Sequence, residues 1–473
     1  MKYTYFFIRY FLLGILLTGW SSFSFGNTGG YRIKGALTNL PDGKVYLAML
    51  YGGNQYPIDS ATVTQGSFVF QDEKSLQPGV YLIIIPPVTS FLILADQHET
   101  DFGFRGDAIH LNTTLQFEGS ADNTEYYNYI RYFDQKKIAI DQLRAAYEAQ
   151  KTEPDKMGLL AGMQKIKEEI KHYQAKIIDR APGSLPAAII KCDLPVVFPE
   201  FEGSPDEVNM QKYLYQRDHY FDNIDLADER LIRAPENVLV DRVDTYLDHL
   251  TPQHADSLIQ SVDRILHISE ATPASYRFFL TYLFNKYRES RGVGMDAIYV
   301  HIAENYIDKG KAPWIEGDAK IEVMNAVAMI SPTLIGKTAP DFTVQKEDQE
   351  DISLYSVKSP YTILIFWSPN CTHCQQSMPR LNDFYTANKD KGVQVFAVCT
   401  KLSEQEKNCW EFLDKNHMGG WINASDKTGG SSIRSTYNIR TTPKIYVLDE
   451  NKKILAKDIG VEHLEEVMKR LAG

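Results

Sequence analysis

The hydrophobic pattern changes twice along the chain and so divides it into three stretches. Residues 31 to 119 contain short runs in which apolar and polar positions alternate, and turn residues separate these runs. Such spacing predicts a β-sandwich. Residues 120 to 334 repeat apolar positions at helical intervals between prolines, which predicts a region built of helices only. From residue 335, apolar strands alternate with amphipathic helices, which predicts an α/β domain with a mixed sheet.

The first 26 residues predict a cleavable secretion signal. Lys2 and Arg9 supply positive charge, the run from Phe11 to Leu17 supplies a short apolar core, and Ser24 and Gly26 are small residues placed for cleavage. Secretion would place the mature chain in the periplasm or cell envelope, where disulfides persist. The alternative is a retained N-terminal anchor, because only Arg9 interrupts the longer apolar stretch around the core.

Length and charge narrow the classes of function. A chain of 473 residues needs more than one core. Its formal charge of −11 argues against nucleic acid as a partner, since phosphates require a basic surface. No segment after the signal is apolar enough to span a membrane, and no motif indicates a cofactor or a metal. We predict a multidomain α+β and α/β protein with a signal peptide, a β-sandwich domain, a helical domain and an α/β domain at residues 1–26, 27–119, 120–334 and 335–473.

The candidate chemistry is concentrated in residues 361 to 379. An apolar run, 361 to 367, predicts a buried strand, and a helix-compatible stretch follows from Cys371 through His373 and Cys374. The spacing places both sulfurs on one face of the first helical turn, and free amides there favour an anion on the first sulfur. Such a setting lowers the pKa of a thiol and makes its thiolate the nucleophile. We predict that Cys371 and Cys374 form a redox-active pair and that protonated His373 stabilises the thiolate.

The alternative for this pair is one half of a structural zinc site. That site would need a second pair of ligands at zinc spacing. Cys192, Cys399 and Cys409 are single, and His417 has no partner at the usual interval, so the pattern favours redox chemistry. Cys399 and Cys409 are also able to bridge, but we predict that they are buried free thiols, which behave as small hydrophobic side chains.

Three motifs in the last part of the chain resemble one known family. Phe366, Trp367 and the cysteine pair resemble the active site of the thioredoxin superfamily. Residues 336 to 342, GKTAPDF, resemble the entry strand of its TlpA/ResA-like extracytoplasmic branch, and this opening is shared with peroxiredoxins. The turn Thr442-Pro443 resembles the family's cis-proline turn. The resemblance covers roughly the last 140 residues, about one domain, and the β-rich and helical stretches resemble domains that precede thioredoxin domains in some secreted bacterial proteins.

The resemblance implies a thioredoxin-like fold and disulfide exchange with protein clients, with electrons from a membrane donor. Cys371 would attack a client disulfide, and Cys374 would resolve the mixed disulfide. Thr442 and Pro443 would shape the groove that holds the client main chain. Trp367 would pack against the dithiol and limit its contact with water.

Two positions depart from the family pattern. Ile365 stands where thioredoxins carry a buried Asp, and Ser377 stands where ResA-like reductases carry a Glu. In the family both acids help to move the proton of the second thiol, so the group that deprotonates Cys374 stays open. His373 occupies the position that it holds in the oxidising DsbA-like enzymes. The redox direction therefore also stays open, with reduction favoured.

Two further functions compete with disulfide exchange. A thiol peroxidase would share the Ala-Pro-Asp-Phe opening, but peroxiredoxins carry Thr three positions before the reactive Cys, where this chain has Ser368. A non-enzymatic envelope binding protein would use its upstream domains and keep a vestigial dithiol, and the missing acids at positions 365 and 377 are consistent with that function.

Overall fold

The structure is a computed structural model that describes most of the chain, namely residues 29–87, 89–150, 153–290, 292–400, 407–426 and 431–472. The secretion signal predicted at residues 1–26 lies outside these described residues. The chain forms two compact units. The first contains the described residues up to Met49 and Pro57–Lys171, and the second contains Leu50–Tyr56 and the described residues from His172 onwards. The domain boundaries given above stay predictions.

The N-terminal β region is a sandwich of two four-stranded sheets, as the alternating pattern predicts. One sheet has the strand order β4-β1-β7-β8 and the other β3-β2-β5-β6. Phe91 and Phe104 join them, with ring centroids 5.3 Å apart. A single helical turn, α1, precedes the last strand. The elements are β1 (Tyr31–Thr38), β2 (Gly43–Tyr51), β3 (Asn54–Val63), β4 (Ser67–Asp72), β5 (Gly79–Ile85), β6 (Thr89–Ala95), β7 (Asp101–Asp107), α1 (Leu111–Thr114) and β8 (Gln116–Glu118).

The central region is helical throughout its described elements, as predicted. Its first two helices are long and antiparallel, and Lys136 of the first forms an ion pair with Glu169 of the second at 2.5 Å. Ser120 caps the first helix by accepting a hydrogen bond from the amide of Asn123. The helices are α2 (Ala121–Ala149), α3 (Glu153–Arg180), α4 (Leu185–Cys192), α5 (Pro205–Asp218), α6 (Glu229–Ile232), α7 (Val240–Thr245), α8 (Ala255–Ser269), α9 (Pro273–Arg288), α10 (Asp296–Ile302) and α11 (Gly317–Ile330).

Two of these helices continue into a wider turn. A π-helical turn, Tyr246–Leu250, follows α7, and a second one, Ala303–Ile307, follows α10. Among the described residues, no helix is long and apolar enough to cross a membrane.

The C-terminal region is built on a seven-stranded mixed sheet with the order β10-β9-β13-β12-β11-β14-β15. The central strand β11 pairs in parallel with β12 and antiparallel with β14. This sheet confirms the predicted α/β architecture. Its elements are β9 (Thr343–Gln345), β10 (Asp351–Ser353), β11 (Tyr361–Trp367), α12 (Thr372–Asn388), β12 (Val393–Cys399), α13 (Lys407–Lys415), β13 (Ile422–Ser425), α14 (Ser431–Thr436), β14 (Lys444–Asp449), β15 (Ile454–Lys457) and α15 (Leu464–Ala472).

Both faces of this sheet are covered, so the side chains of β11 alternate between two cores. Ile363, Ile365 and Trp367 face the core formed with α12, α13 and α15. Leu364 and Phe366 face the core that includes α14. A strand that is buried on both faces needs apolar side chains at nearly every position. This explains the largely hydrophobic sequence of β11.

A buried ion pair connects the helical region to the sheet. The Nζ of Lys457, the last residue of β15, contacts Oδ2 of Asp296, the first residue of α10. The lysine side chain is only 4% exposed. A charge at this depth requires a partner of opposite sign, so this contact fixes α10 against the edge of the sheet.

Candidate active site

The two cysteines of the predicted pair lie where β11 ends and α12 begins. Cys371 is the N-cap of α12, and its amide donates to the carbonyl of Ser368 at 3.2 Å. Its sulfur accepts from the amide of Cys374 at 3.4 Å. The first helical turn therefore directs backbone N–H groups at the sulfur of Cys371, the arrangement that favours an anion there.

Cys371 is a half-buried thiol with a lowered pKa. Its partial burial alone would raise the pKa, but contacts with Thr442 and with the amides of Cys374 and His373 outweigh that effect. While protonated, the sulfur of Cys371 also donates to the carbonyl of Thr442 at 3.0 Å. This carbonyl favours the protonated sulfur, whereas the side chain of Thr442 and the two amides favour the thiolate, and the net effect is a pKa below the ordinary value of a thiol.

Cys374 has the opposite character, although it is only three residues away. It is fully buried, and burial is the main cause that raises its pKa to about 12. The nearby sulfur of Cys371 raises the pKa further, against a backbone hydrogen bond from Ser368 that lowers it. One turn of helix thus carries a half-buried thiol with a lowered pKa and a fully buried thiol with a raised one.

The Thr442-Pro443 turn faces the dithiol, and its peptide bond is cis, as the resemblance implies. Both residues are half-buried. The turn leads directly into β14, where Lys444 is the register partner of Phe366 on β11. Because β14 runs antiparallel to β11, its start and the end of β11 meet at the same edge of the sheet.

The other residues predicted for the site differ in burial. Trp367 is fully buried in the core that also contains Cys374, and its indole Nε1 has no hydrogen-bond partner among the described residues. His373 is exposed, and its carbonyl accepts from the hydroxyl of Ser377 at 2.7 Å. The position of Ile365 is fully buried and apolar.

A second cysteine pair forms the bridge that the sequence left as the less favoured alternative. Cys399 and Cys409 form a disulfide, with their Cα atoms 6.4 Å apart. The prediction of free thiols is therefore wrong, although both residues are fully buried as expected. The available signal was positional: Cys399 ends a buried strand, and Cys409 lies on the buried side of the amphipathic helix α13. The third cysteine outside the CxxC pair, Cys192, is a buried free thiol.

Within the described residues, no group of three or more His, Cys, Asp or Glu side chains is arranged to hold a metal ion. The site consists instead of two sulfurs, a helix start and a cis-proline turn. A sulfur with a lowered pKa beside a second sulfur can exchange disulfides.

The sequence matches three protein families in succession. Residues 31–126 match a domain of unknown function, DUF4369, and residues 195–332 match another, DUF5106. Residues 335–457 match the AhpC/TSA family. The two upstream families have no known function. Only the match over residues 335–457 therefore bears on the function of the chain.

Curated relatives match that same C-terminal region. The chain is 31% identical over 133 residues to the thiol-disulfide oxidoreductase ResA of Bacillus cereus, which covers 28% of this chain and 74% of that protein. It is 30% identical over 136 residues to the thioredoxin-like protein YneN of Bacillus subtilis, over 29% of this chain and 78% of that protein.

A domain of a possible thiol-disulfide isomerase from Cytophaga hutchinsonii is 37% identical, covers 30% of this chain and 95% of its own, and has a TM-score of 0.28. A thioredoxin-like protein from Bacteroides caccae is 21% identical, covers 58% of this chain and 98% of its own, and has a TM-score of 0.46.

The sheet, the cis-proline turn and the paired thiols define a thioredoxin-like domain. The chain belongs to the family of thiol-disulfide oxidoreductases that includes ResA.

Proposed function

We propose that the protein is an extracytoplasmic thiol-disulfide oxidoreductase that exchanges disulfides with protein clients through Cys371 and Cys374. One observation supports this most strongly, namely the opposite character of the two thiols. Cys371 is half-buried with a lowered pKa, whereas Cys374 is fully buried with a raised pKa. A nucleophile must be accessible and ionised, whereas a resolving thiol must be close and protected from solvent.

In the reducing direction, the thiolate of Cys371 attacks one sulfur of a client disulfide. A bond forms between Cys371 and the client, the client S–S bond breaks, and the other client sulfur leaves as a thiolate. Cys374 then gives up its proton to the client thiolate that left in the first step and attacks the sulfur of Cys371. The Cys371–Cys374 bond forms, the mixed bond between Cys371 and the client breaks, and the second client sulfur leaves as a thiolate. The client has gained two electrons, and the protein is left with a Cys371–Cys374 disulfide that a dithiol donor must reduce.

The neighbouring residues support these steps by position. The carbonyl of Thr442 lies 3.0 Å from the sulfur of Cys371, so a client strand beside Thr442 and Pro443 would bring its own sulfur to the nucleophile. Trp367 keeps water from the buried side of the pair. His373, when protonated, adds positive charge next to the thiolate. The β-sandwich and helical regions would bind or orient a client or a membrane electron donor.

Reduction is the favoured direction, on the resemblance to ResA. Measuring the potential of the Cys371–Cys374 couple tests it. A value of about −120 mV is typical of strong oxidants and would contradict the reductase proposal. The envelope location rests on residues 1–26, and N-terminal sequencing of the mature protein after cell fractionation would test cleavage after Gly26.

Client capture is the decisive experiment. Replacement of Cys374 by Ala removes the resolving thiol, so mixed disulfides between Cys371 and clients should accumulate in the cell envelope. Mass spectrometry would identify the clients. A Cys371→Ser, Cys374→Ala variant is the matched control, and equal capture by both variants would contradict the proposal.

A thiol peroxidase is the second candidate, and the AhpC/TSA match over residues 335–457 favours it. A peroxidase would need Cys371 but could use an external thiol in place of Cys374. Peroxide consumption by the Cys374→Ala variant at the rate of the unmodified protein would support this function. Loss of peroxide consumption together with retained client capture would exclude it.

A further inference from the structure

The Cys399–Cys409 disulfide lies beside the strand that carries the dithiol, and the exchange steps above do not use it. In the parallel pair of β11 and β12, Cys399 is the register partner of Trp367, the last residue of β11. The amide of Thr400, the next residue, donates to the carbonyl of Trp367 at 2.9 Å. Both sulfurs of the disulfide are buried in the core that contains Trp367 and Cys374.

The disulfide attaches α13 to the end of β12. This helix has nine residues, Lys407–Lys415, and its buried residues are Cys409 and Leu413. Such a short helix is not stable alone and depends on its tertiary contacts. Its Phe412 reaches the indole of Trp367, with ring centroids 5.3 Å apart. The covalent link therefore holds a helix whose aromatic side chain packs on the tryptophan next to the dithiol.

We propose that the Cys399–Cys409 disulfide and Phe412 are positioning elements of the redox site: together they hold Trp367 in place and keep water away from Cys374. Neither touches the client. The disulfide stays oxidised while Cys371 and Cys374 exchange. This inference rests on the proposed function of the CxxC pair and adds residues that control the resolving step.

The two active thiols differ in what sets their pKa, and this difference makes the proposal testable. Burial is the main cause of the raised pKa of Cys374. The lowered pKa of Cys371 comes instead from hydrogen bonds with Thr442 and the first amides of α12. Loosening α13 would hydrate the core under Trp367 but would leave the helix start intact. It should therefore lower the pKa of Cys374 and leave that of Cys371 unchanged.

Two variants loosen α13 in different ways. The double variant Cys399→Ala, Cys409→Ala removes the cross-link, and Phe412→Leu keeps it but removes the contact with Trp367. Alkylation of the reduced protein across a pH series, followed by peptide mapping, gives the midpoint for each cysteine. We expect the midpoint of Cys374 to fall by about one pH unit or more in both variants, since hydration reverses the effect of burial. The midpoint of Cys371 should move by less than about 0.3 units.

Phe384→Leu is the matched control. It makes the same substitution in the same core, on α12, but thirteen residues after Cys371, or about 20 Å along the helix. If a general loss of stability moved the Cys374 midpoint, this variant would move it too. Equal shifts in Phe384→Leu and Phe412→Leu, or no shift in either α13 variant, would overturn the inference. Appearance of Cys399 or Cys409 thiols during turnover would also overturn it.

The inference and the proposed function can fail separately. Insulin reduction by the unmodified protein tests the function without any change at α13. If the unmodified protein reduces insulin and the α13 variants keep the original Cys374 midpoint, only the positioning role is wrong. If it neither reduces insulin nor captures clients in the Cys374→Ala variant, the function is wrong whatever the midpoints show.

Discussion

Two pairs of cysteines lie near the ends of the neighbouring strands β11 and β12. They differ in oxidation state, in burial and in spacing along the sequence. Cys371 and Cys374 follow β11 with two residues between them, are free thiols, and include one half-buried sulfur. Cys399 and Cys409 are joined across a sequence separation of ten, and both are fully buried. Under the proposed function, a place at the end of a strand does not by itself make a cysteine reactive. Access to solvent and backbone amides directed at the sulfur do so.

The comparison also divides the roles of the surrounding residues. The start of α12 supplies N–H groups to Cys371, whereas α13 supplies an aromatic side chain to Trp367. Under the proposed function, the first helix would control the charge on the nucleophile, and the second would control the packing of Trp367. Substitutions in the two pairs should separate these effects.

The largest expected effect is the loss of exchange in Cys371→Ser. A hydroxyl at this position does not ionise at neutral pH, so insulin reduction should fall by at least about a hundredfold. Cys192→Ser is the matched control, because Cys192 is a buried free thiol in the helical region. Turnover assays of both variants check the prediction. Residual activity of Cys371→Ser above one tenth of that of the unmodified protein would place the nucleophile elsewhere.

Mild reduction should distinguish the two pairs next. After oxidation of the protein, a low concentration of dithiol should open Cys371–Cys374 at least about a hundredfold faster than Cys399–Cys409, because exchange requires access to a sulfur. Mass spectrometry after timed alkylation measures both rates. Comparable rates in the folded protein would mean that the second disulfide is open to solvent. In denaturant the difference should disappear.

The two disulfides should also differ in their effect on stability. A cross-link across ten residues constrains the unfolded chain, and its loss in the Cys399→Ala, Cys409→Ala variant should cost about 2–3 kcal/mol of unfolding free energy. Closing the much shorter Cys371–Cys374 loop should change that free energy less. Denaturant titrations of oxidised and reduced protein, and of the double variant, check both values. A double variant as stable as the unmodified protein would contradict the prediction.

The smallest expected effect is a pH dependence of the reduced protein. The pKa of Cys371 lies below its ordinary value of 9.0, so the stability it contributes is full above pH 9 and is lost as the pH falls through its folded pKa. Cys374 acts in the opposite sense, because its contribution is full below pH 9 and is lost as the pH rises through about 12.

Stability of the reduced protein should therefore rise slightly up to about pH 9 and then fall. Unfolding titrations between pH 6 and pH 10 measure the change, and the rise should be absent in Cys371→Ser. A rise of the same size in that variant would assign the pH dependence to another group.

Local patterns predicted the parts of the site that local sequence determines. The apolar run of β11 and the turn at Ser368 define the strand end, and the CxxC spacing defines the helix start. The disulfide was not predictable in the same way, because Cys399 and Cys409 meet only when α13 packs on the sheet. Neither the sequence of β12 nor that of α13 indicates by itself that Cys399 and Cys409 will meet.

The same limit applies to the fold. Alternation predicted the β-sandwich because strands such as β1 bury every second side chain, and prolines marked the breaks between helices, as at the starts of α5 and α9. The wider turns at Tyr246–Leu250 and Ala303–Ile307 were not predicted, since their sequences fit an ordinary helix.

The contact between Lys457 and Asp296 has a consequence for how this chain can vary. A change at Asp296 alone would leave the charge of Lys457 buried without its partner, whereas neutral or reversed pairs would not. The two positions should therefore show strong epistasis despite being far apart in the sequence. A library that randomises both codons at once should be enriched in matched pairs, and a segment that carries one of the two residues should be exchanged for a homologous one only together with a compatible partner residue.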